Sequence, residues 1–311
     1  MTDEIQFRDA NMRDAQPVLS VRGLALPAGD RGEELLLRVT APLVGKGLPV
    51  VLFSHGYGSS MDAYAPLTDY WASRGFVVIQ PTHLDARRLA LSADDPRRPD
   101  IWRIRVADMV QVLDALLSIV GELSWLNGRV DTSAVAAAGH SFGGQTVSML
   151  LGGRMQGSMS GENWRDERIR AGVLLASGGH GGTDLSDFAR RHTPWLDMTF
   201  EHLVTPTLVV VGDADRSPLT VRGPDWFADP YRLSPGGRVL LTLEDGEHML
   251  GGISGYAVTE TTDESPERVA CVQSATAAFL DAMLKSGDLR QPDLATSFRR
   301  AVEGQGTIER K

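Results

Sequence analysis

Gly139-His140-Ser141-Phe142-Gly143-Gly144 is the stretch on which the reading of this chain turns, a G-x-S-x-G pentapeptide extended by one glycine. It reads as a nucleophile elbow, a sharp strand-to-helix turn that lifts a serine hydroxyl above the end of a sheet. Such a turn strains the serine backbone, and glycines on either side remove the Cβ atoms that would strike the neighbouring strand and helix. The helix that starts there aims the Phe142 amide at a reacting carbonyl, so one motif offers a nucleophile, Ser141, and half an oxyanion hole. The pentapeptide also arises by chance in glycine-rich chains, so its context decides.

That context is an α/β chain. Val18 to Leu26 and Glu34 to Ala41 read as an opening antiparallel edge, followed by candidate buried strands at Val50 to Ser54, Phe76 to Gln80, Ala134 to Gly139, Ala171 to Ala176, Thr207 to Gly212 and Arg238 to Leu243. Helical patterns lie between them at about Asp62 to Arg74, Ile101 to Val120, Gln145 to Leu151 and Pro266 to Lys285. The alternation implies right-handed crossovers and a mostly parallel sheet with helices on both faces. Ala134 to Ala138 is helical by propensity, and only the elbow after it argues for a strand. One domain is expected over residues 1–285, opening with a polar segment at 1–16; residues 286–311 read as a polar tail or short helix packed outside or frayed.

Composition narrows the function classes. The 311 residues are 42% hydrophobic and carry a net charge of −9, which disfavours nucleic acid and anionic membranes as partners. The start lacks the basic end and apolar stretch of a secretory signal, no apolar run would span a bilayer, and one cysteine, Cys271, excludes an intrachain disulfide. The cytoplasm is the expected location.

Three further stretches supply the partners of an activated serine in the expected chain order. Phe53-Ser54-His55-Gly56-Tyr57-Gly58 follows an apolar strand and offers the Tyr57 backbone amide as second oxyanion donor. Leu208-Val209-Val210-Val211-Gly212-Asp213-Ala214-Asp215 ends a buried strand in two acids; the G-x-x-D spacing favours Asp215 to orient an imidazole, with Asp213 the alternative. Gly246-Glu247-His248-Met249 follows the last strand, and no other histidine comes after Asp215, so His248 is the candidate base. The set needs neither cofactor nor metal.

From about Pro49 to Phe279 the chain resembles α/β-hydrolase serine esterases. It is most similar to a bacterial group of predicted dienelactone hydrolases that takes in chlorophyllase-like and platelet-activating-factor-acetylhydrolase-like enzymes, and it resembles the polyester hydrolases. The likeness rests on Ser54-His55-Gly56-Tyr57, Gly75-Phe76-Val77-Val78-Ile79-Gln80-Pro81-Thr82-His83, the elbow, and Gly212-Asp213-Ala214-Asp215. It implies the α/β-hydrolase fold with a small or absent cap and hydrolysis of a small-molecule ester. True dienelactone hydrolases carry a cysteine nucleophile, whereas the elbow here holds serine, so that name does not fix the substrate.

The remaining candidates are weighed on position. His140 and His55 read as supports beneath the turn and the oxyanion loop. Tyr57, His83, Trp195, Trp226 and Met249 are the candidate pocket residues, around an open cleft suited to uncharged esters of short or medium acyl chain; His83 reads more readily as a surface or core-satisfied histidine, and Trp195 equally as plain packing. A P-loop reading of Gly139 to Thr146 fails because Gln145 stands where the phosphate-binding lysine is needed. An acyltransferase, perhydrolase or amidase on the same residues stays open, as does a non-catalytic receptor of the same fold. The sequence leaves the oligomeric state open.

Overall fold

The computed structural model describes residues 15–157, 161–255 and 261–311. Most of the expected N-terminal segment, residues 1–14, lies outside them. The strands are β1 Val18–Leu26, β2 Leu35–Pro42, β3 Leu48–Ser54, β4 Val77–Pro81, β5 Val130–His140, β6 Arg154–Met155, β7 Ile169–Leu175, β8 Met198–Thr199, β9 Thr207–Gly212, β10 Gly237–Leu243 and β11 Gly306–Arg310. The helices are α1 Ala65–Ser73, α2 Ile101–Asp114, α3 Leu116–Glu122, α4 Phe142–Leu150, α5 Asp187–His192, α6 Asp229–Arg232, α7 Pro266–Lys285 and α8 Pro292–Val302. Nine strands form one sheet in the order β1-β2-β4-β3-β5-β7-β9-β10-β11. The six from β4 to β10 run parallel, and β1, β2 and β11 pair antiparallel at the edges.

Period-two alternation sorts the core into two layers. Val50, Leu52, Val135 and Ala137 face the side covered by α2, α3 and α4, while Val51, Phe53, Ala136 and Ala138 face α1, α7 and α8. This is the α/β-hydrolase fold. The alanine run in β5 is a strand despite its helical propensity, because it is the sheet's centre and buried on both faces, so tertiary packing overrides local preference. The helical run expected over Ile101 to Val120 breaks at Ala115.

The short helix expected within residues 286–311 is present as α8, and only the outlying or frayed tail is corrected: α8 packs on α7, and β11 pairs with β10 from Val239↔Arg310 to Leu243↔Gly306. Leu294 and Phe298 join the core of that face, so the apolar positions of this polar segment were enough to dock it. Among the described residues no helix is long and apolar enough to cross a membrane.

The chain leaves β3 for β4 on one side and reaches β5 on the other, so the strand order reverses between β3 and β5. In open α/β sheets ligands bind outside the carboxyl ends of the strands at such a point. Ser54 ends β3 and His140 ends β5, which places the loop 55–58 and the elbow side by side.

Candidate active site

Ser141 links β5 to α4 with φ 54° and ψ −120°, a conformation that costs a non-glycine residue roughly 1–3 kcal/mol. The turn is possible only because its flanks lack side chains. A Cβ on Gly139 would stand 2.2 Å from the Gly143 carbonyl oxygen, and one on Gly143 would stand 2.0 Å from that of Ser54. The Ser141 amide donates to the Leu175 carbonyl at 2.9 Å, fixing the turn to the end of β7.

Three distant loops meet at the hydroxyl. His248 Nε2 lies 2.8 Å from Ser141 Oγ, and His248 Nδ1 lies 2.9 Å from Asp215 Oδ2. Asp215 is 1% exposed and acts as the acceptor, so Nδ1 carries the proton and the unprotonated Nε2 faces the serine hydroxyl. Asp213 is exposed, on the solvent side of the same turn. The His248 loop is pinned by Asp263 Oδ2, which accepts from the amides of Glu247 and Gly251 at 2.8 and 3.0 Å.

His140 lies beneath the turn. Tyr64 accepts from the Gly56 amide at 3.1 Å and donates to His140 Nδ1 at 2.8 Å, and His140 Nε2 donates to the His248 carbonyl at 2.8 Å. The loop at Gly56 and the His248 loop are thus tied together through Tyr64 and one imidazole. Burial, then the neighbouring His248, pushes the His140 pKa down to about 3, which keeps it neutral in this relay. His55 is held as a prop, with Nδ1 donating to the Gly56 carbonyl at 2.7 Å and Nε2 accepting from the His83 amide at 3.0 Å.

The amides of Tyr57 and Phe142 lack acceptors among the described residues, while their neighbours' amides are used: Gly56 by Tyr64, Gly58 by Asp85 at 3.0 Å, and Ser141 by Leu175. Ser141 sits between two recesses. The larger, about 960 Å³, is lined by Phe142, Trp195, Leu196, Leu219, Trp226 and Phe227. The smaller, about 400 Å³, lies beyond Tyr57 and carries Met249. Residues 177–201 form the near wall of the larger recess through α5 and the turn Pro194–Leu196, and β8 ties them to β6. Arg98, Arg191 and Arg216 line the same recess, which an apolar reading of the pocket had not included.

One pocket expectation is corrected: His83 does not reach the recess. It is fully buried, with Nε2 accepting from Ser54 Oγ and Nδ1 donating to Asp108 Oδ2, each at 2.9 Å. The end of β4 passes beneath the His55 loop, so the side chain points into the protein. Around it lies a charged layer the sequence reading missed. Arg31 Nε is 2.9 Å from Asp108 Oδ1, and Arg105 Nη1 is 2.6 Å from Asp85 Oδ1. Burial pushes the Asp108 carboxyl up to about 7 against the pull of Arg31, and Cys271 is a buried thiol pushed up to about 12. A signal was present: Arg105 and Asp108 interrupt the apolar stripe Trp102, Val106, Met109 of α2, where a charge must find a buried partner.

Comparison with known proteins agrees with this fold. A chlorophyllase family model matches residues 31–160, which contain the loop 55–58 and the elbow but neither Asp215 nor His248. Platelet-activating factor acetylhydrolase of Cavia porcellus is 30% identical over 165 residues, covering 42% of this chain and 35% of that protein. The Bos taurus protein of the same name is 24% identical over 222 residues, covering 58% and 47%. Chlorophyllase-1, chloroplastic, of Citrus sinensis is 30% identical over 165 residues, covering 45% and 47%. The chain therefore spans between about a third and a half of the length of the curated relatives it matches. In fold it is an α/β hydrolase, and in sequence it is similar to acetylhydrolases and chlorophyllases.

Proposed function

We propose that this protein is a serine hydrolase that cleaves carboxylic esters. The observation that carries the reading is Ser141, strained at its elbow, 2.8 Å from an imidazole backed by a buried carboxylate and open to a 960 Å³ recess. The names of its relatives, acetylhydrolase and chlorophyllase, support the same class of reaction.

The geometry suits a two-step acyl transfer. His248 Nε2 takes the Ser141 proton as Oγ bonds to the ester carbonyl carbon. The carbonyl oxygen becomes an alkoxide facing the Tyr57 and Phe142 amides, and Asp215 stabilises the imidazolium. Collapse expels the alcohol, which leaves with the proton from His248. Water then repeats the sequence on the acyl-enzyme, with His248 again as base, and releases the acid.

The apolar wall of Trp195, Trp226 and Phe227 favours a short or medium acyl chain, each added methylene gaining about 0.8 kcal/mol until the recess is filled. A panel of p-nitrophenyl esters from acetate to palmitate tests this. Simple saturation is expected, with kcat/KM rising over the short chains and then falling. A matched ester ending in a carboxylate reports what Arg98, Arg191 and Arg216 add. No hydrolysis of any member, or a sharp rise in rate only above the micelle concentration, would contradict the open-cleft esterase.

A further inference from the structure

The two proposed oxyanion amides belong to different elements, Tyr57 to the loop after β3 and Phe142 to the first turn of α4. Hydrogen-bond donors aimed at a developing alkoxide help only if their positions are fixed before reaction. One buried side chain touches both.

Arg105, 0% exposed on α2, spreads its guanidinium between the two elements. Toward the loop, Nη1 is 2.6 Å from Asp85 Oδ1, whose other oxygen accepts from the Gly58 amide at 3.0 Å, and Nη2 donates to the His55 carbonyl. The Tyr57 amide is thus bracketed by anchors at residues 55 and 58, with Tyr64 holding residue 56. Toward the helix, Nε donates to Thr146 Oγ1 at 3.2 Å, and that hydroxyl donates to the Phe142 carbonyl at 3.0 Å. The guanidinium carbon also lies 4.6 Å from the centre of the Phe142 ring. We propose that Arg105, with Asp85 as its counterion, is the positioning residue that holds the Tyr57 and Phe142 amides in register for one oxyanion. The inference rests on the esterase reading of Ser141.

The chemistry explains the choice of residue. A planar guanidinium reaches a carboxylate, a carbonyl and a hydroxyl in one plane while presenting its face to a ring, whereas an ammonium is a point charge that meets one direction at a time. Asp85 suits the counterion role. Burial favours its neutral form, yet Arg105, His55 and the Gly58 amide bring its pKa below the usual carboxylate value, so it stays an acceptor.

The test uses the full chain with Arg105→Lys, and with Asp85→Asn as the variant that decides should Arg105→Lys fail to fold. Two readouts separate positioning from bulk structure. For short p-nitrophenyl esters, kcat should fall by about 10²-fold with KM within a few-fold. Affinity for a short alkyl trifluoromethyl ketone should fall by the same factor as kcat. That ketone forms a bond from its carbonyl carbon to Ser141 Oγ, passes the serine proton to His248 and leaves an alkoxide at the oxyanion position. Independently of any substrate, amide hydrogen exchange should speed up in both segments, residues 53–58 and 141–146, and not across the rest of the sheet. A folded variant with wild-type kcat and ketone affinity, or with unchanged exchange in both segments, would overturn the proposal. A wild-type protein that neither turns over esters nor binds the ketone would overturn the esterase reading, and the exchange data would still decide the clamp.

Discussion

Two serines in this molecule head nearly identical hydrogen-bonded chains. Ser141 Oγ lies 2.8 Å from His248, which lies 2.9 Å from Asp215; Ser54 Oγ lies 2.9 Å from His83, which lies 2.9 Å from Asp108. Each serine stands at the C-terminal end of a central strand. What separates them is everything except those distances. Ser141 is forced to φ 54° and opens to a recess, with a side chain on His248 that is 40% exposed. Ser54 lies within regular β3, and neither it nor His83 is exposed. Burial, and then Arg105 and His55, holds the His83 pKa well below the usual imidazole value, so it resists the proton a general base must accept. On the proposed esterase reading, a serine, a histidine and an aspartate in line make a structural strut or a nucleophile, depending on access, room for imidazolium charge and a place for an oxyanion.

The contrast is broken most directly by removing each hydroxyl. Ser141→Ala should lower kcat for p-nitrophenyl esters by at least about 10⁴-fold, while Ser54→Ala should stay within about tenfold of wild type. Equal losses would mean that the geometry of the buried chain matters to chemistry as well. The acids come next: Asp215→Asn should cost up to about 10⁴ in kcat, and Asp213→Asn only a few-fold. The reverse ranking would hand the orienting role to Asp213.

Stability should show the opposite pattern. His83→Ala takes away the acceptor of the Ser54 hydroxyl proton, leaving Ser54 Oγ only the Arg105 Nη2 donor at 3.3 Å, and leaves Asp108 Oδ2 without its imidazole donor, so denaturant unfolding should report a loss of roughly 2–4 kcal/mol. His248→Ala, at the solvent edge, should stay within about 1 kcal/mol while abolishing turnover.

The smallest effect is the pH dependence of the fold. His55 at about 4, His140 at about 3 and His83 well below 6.5 are neutral when folded and gain protons when unfolded once the pH drops below about 6.5. Their contribution is present above 6.5 and is lost as pH falls toward 4. Asp108, raised to about 7, acts with the opposite sign, since the folded form holds the proton over that range. Three imidazoles outweigh one carboxyl, so the thermal midpoint should fall between pH 7 and pH 5, and His140→Gln should flatten the slope. A flat or rising midpoint would show that the buried histidines are not neutral.

The sequence made one of these two chains legible and hid the other. Ser141, Asp215 and His248 each follow a buried strand, in an order the elbow motif dictates, so local signals located them before any geometry was known. Ser54 and His83 were both in view, yet nothing in either segment says that β4 passes beneath the His55 loop; that follows from sheet order, a long-range property. Arg105 and Asp108 were legible as charges on an apolar helical face, but their partners Asp85 and Arg31 come from loops without regular pattern. The C-terminal strand β11 was missed because Gly306 to Arg310 is a polar edge strand whose identity depends on pairing with β10.

The central claim is that Ser141 alone is an activated nucleophile. It is tested most directly by treating the protein with a fluorophosphonate at neutral pH and mapping the adduct by peptide mass spectrometry. One equivalent on Ser141, none on Ser54, and no labelling of Ser141→Ala are the expected results. Labelling that persists in Ser141→Ala, or an adduct on another residue of the wild-type chain, would contradict it.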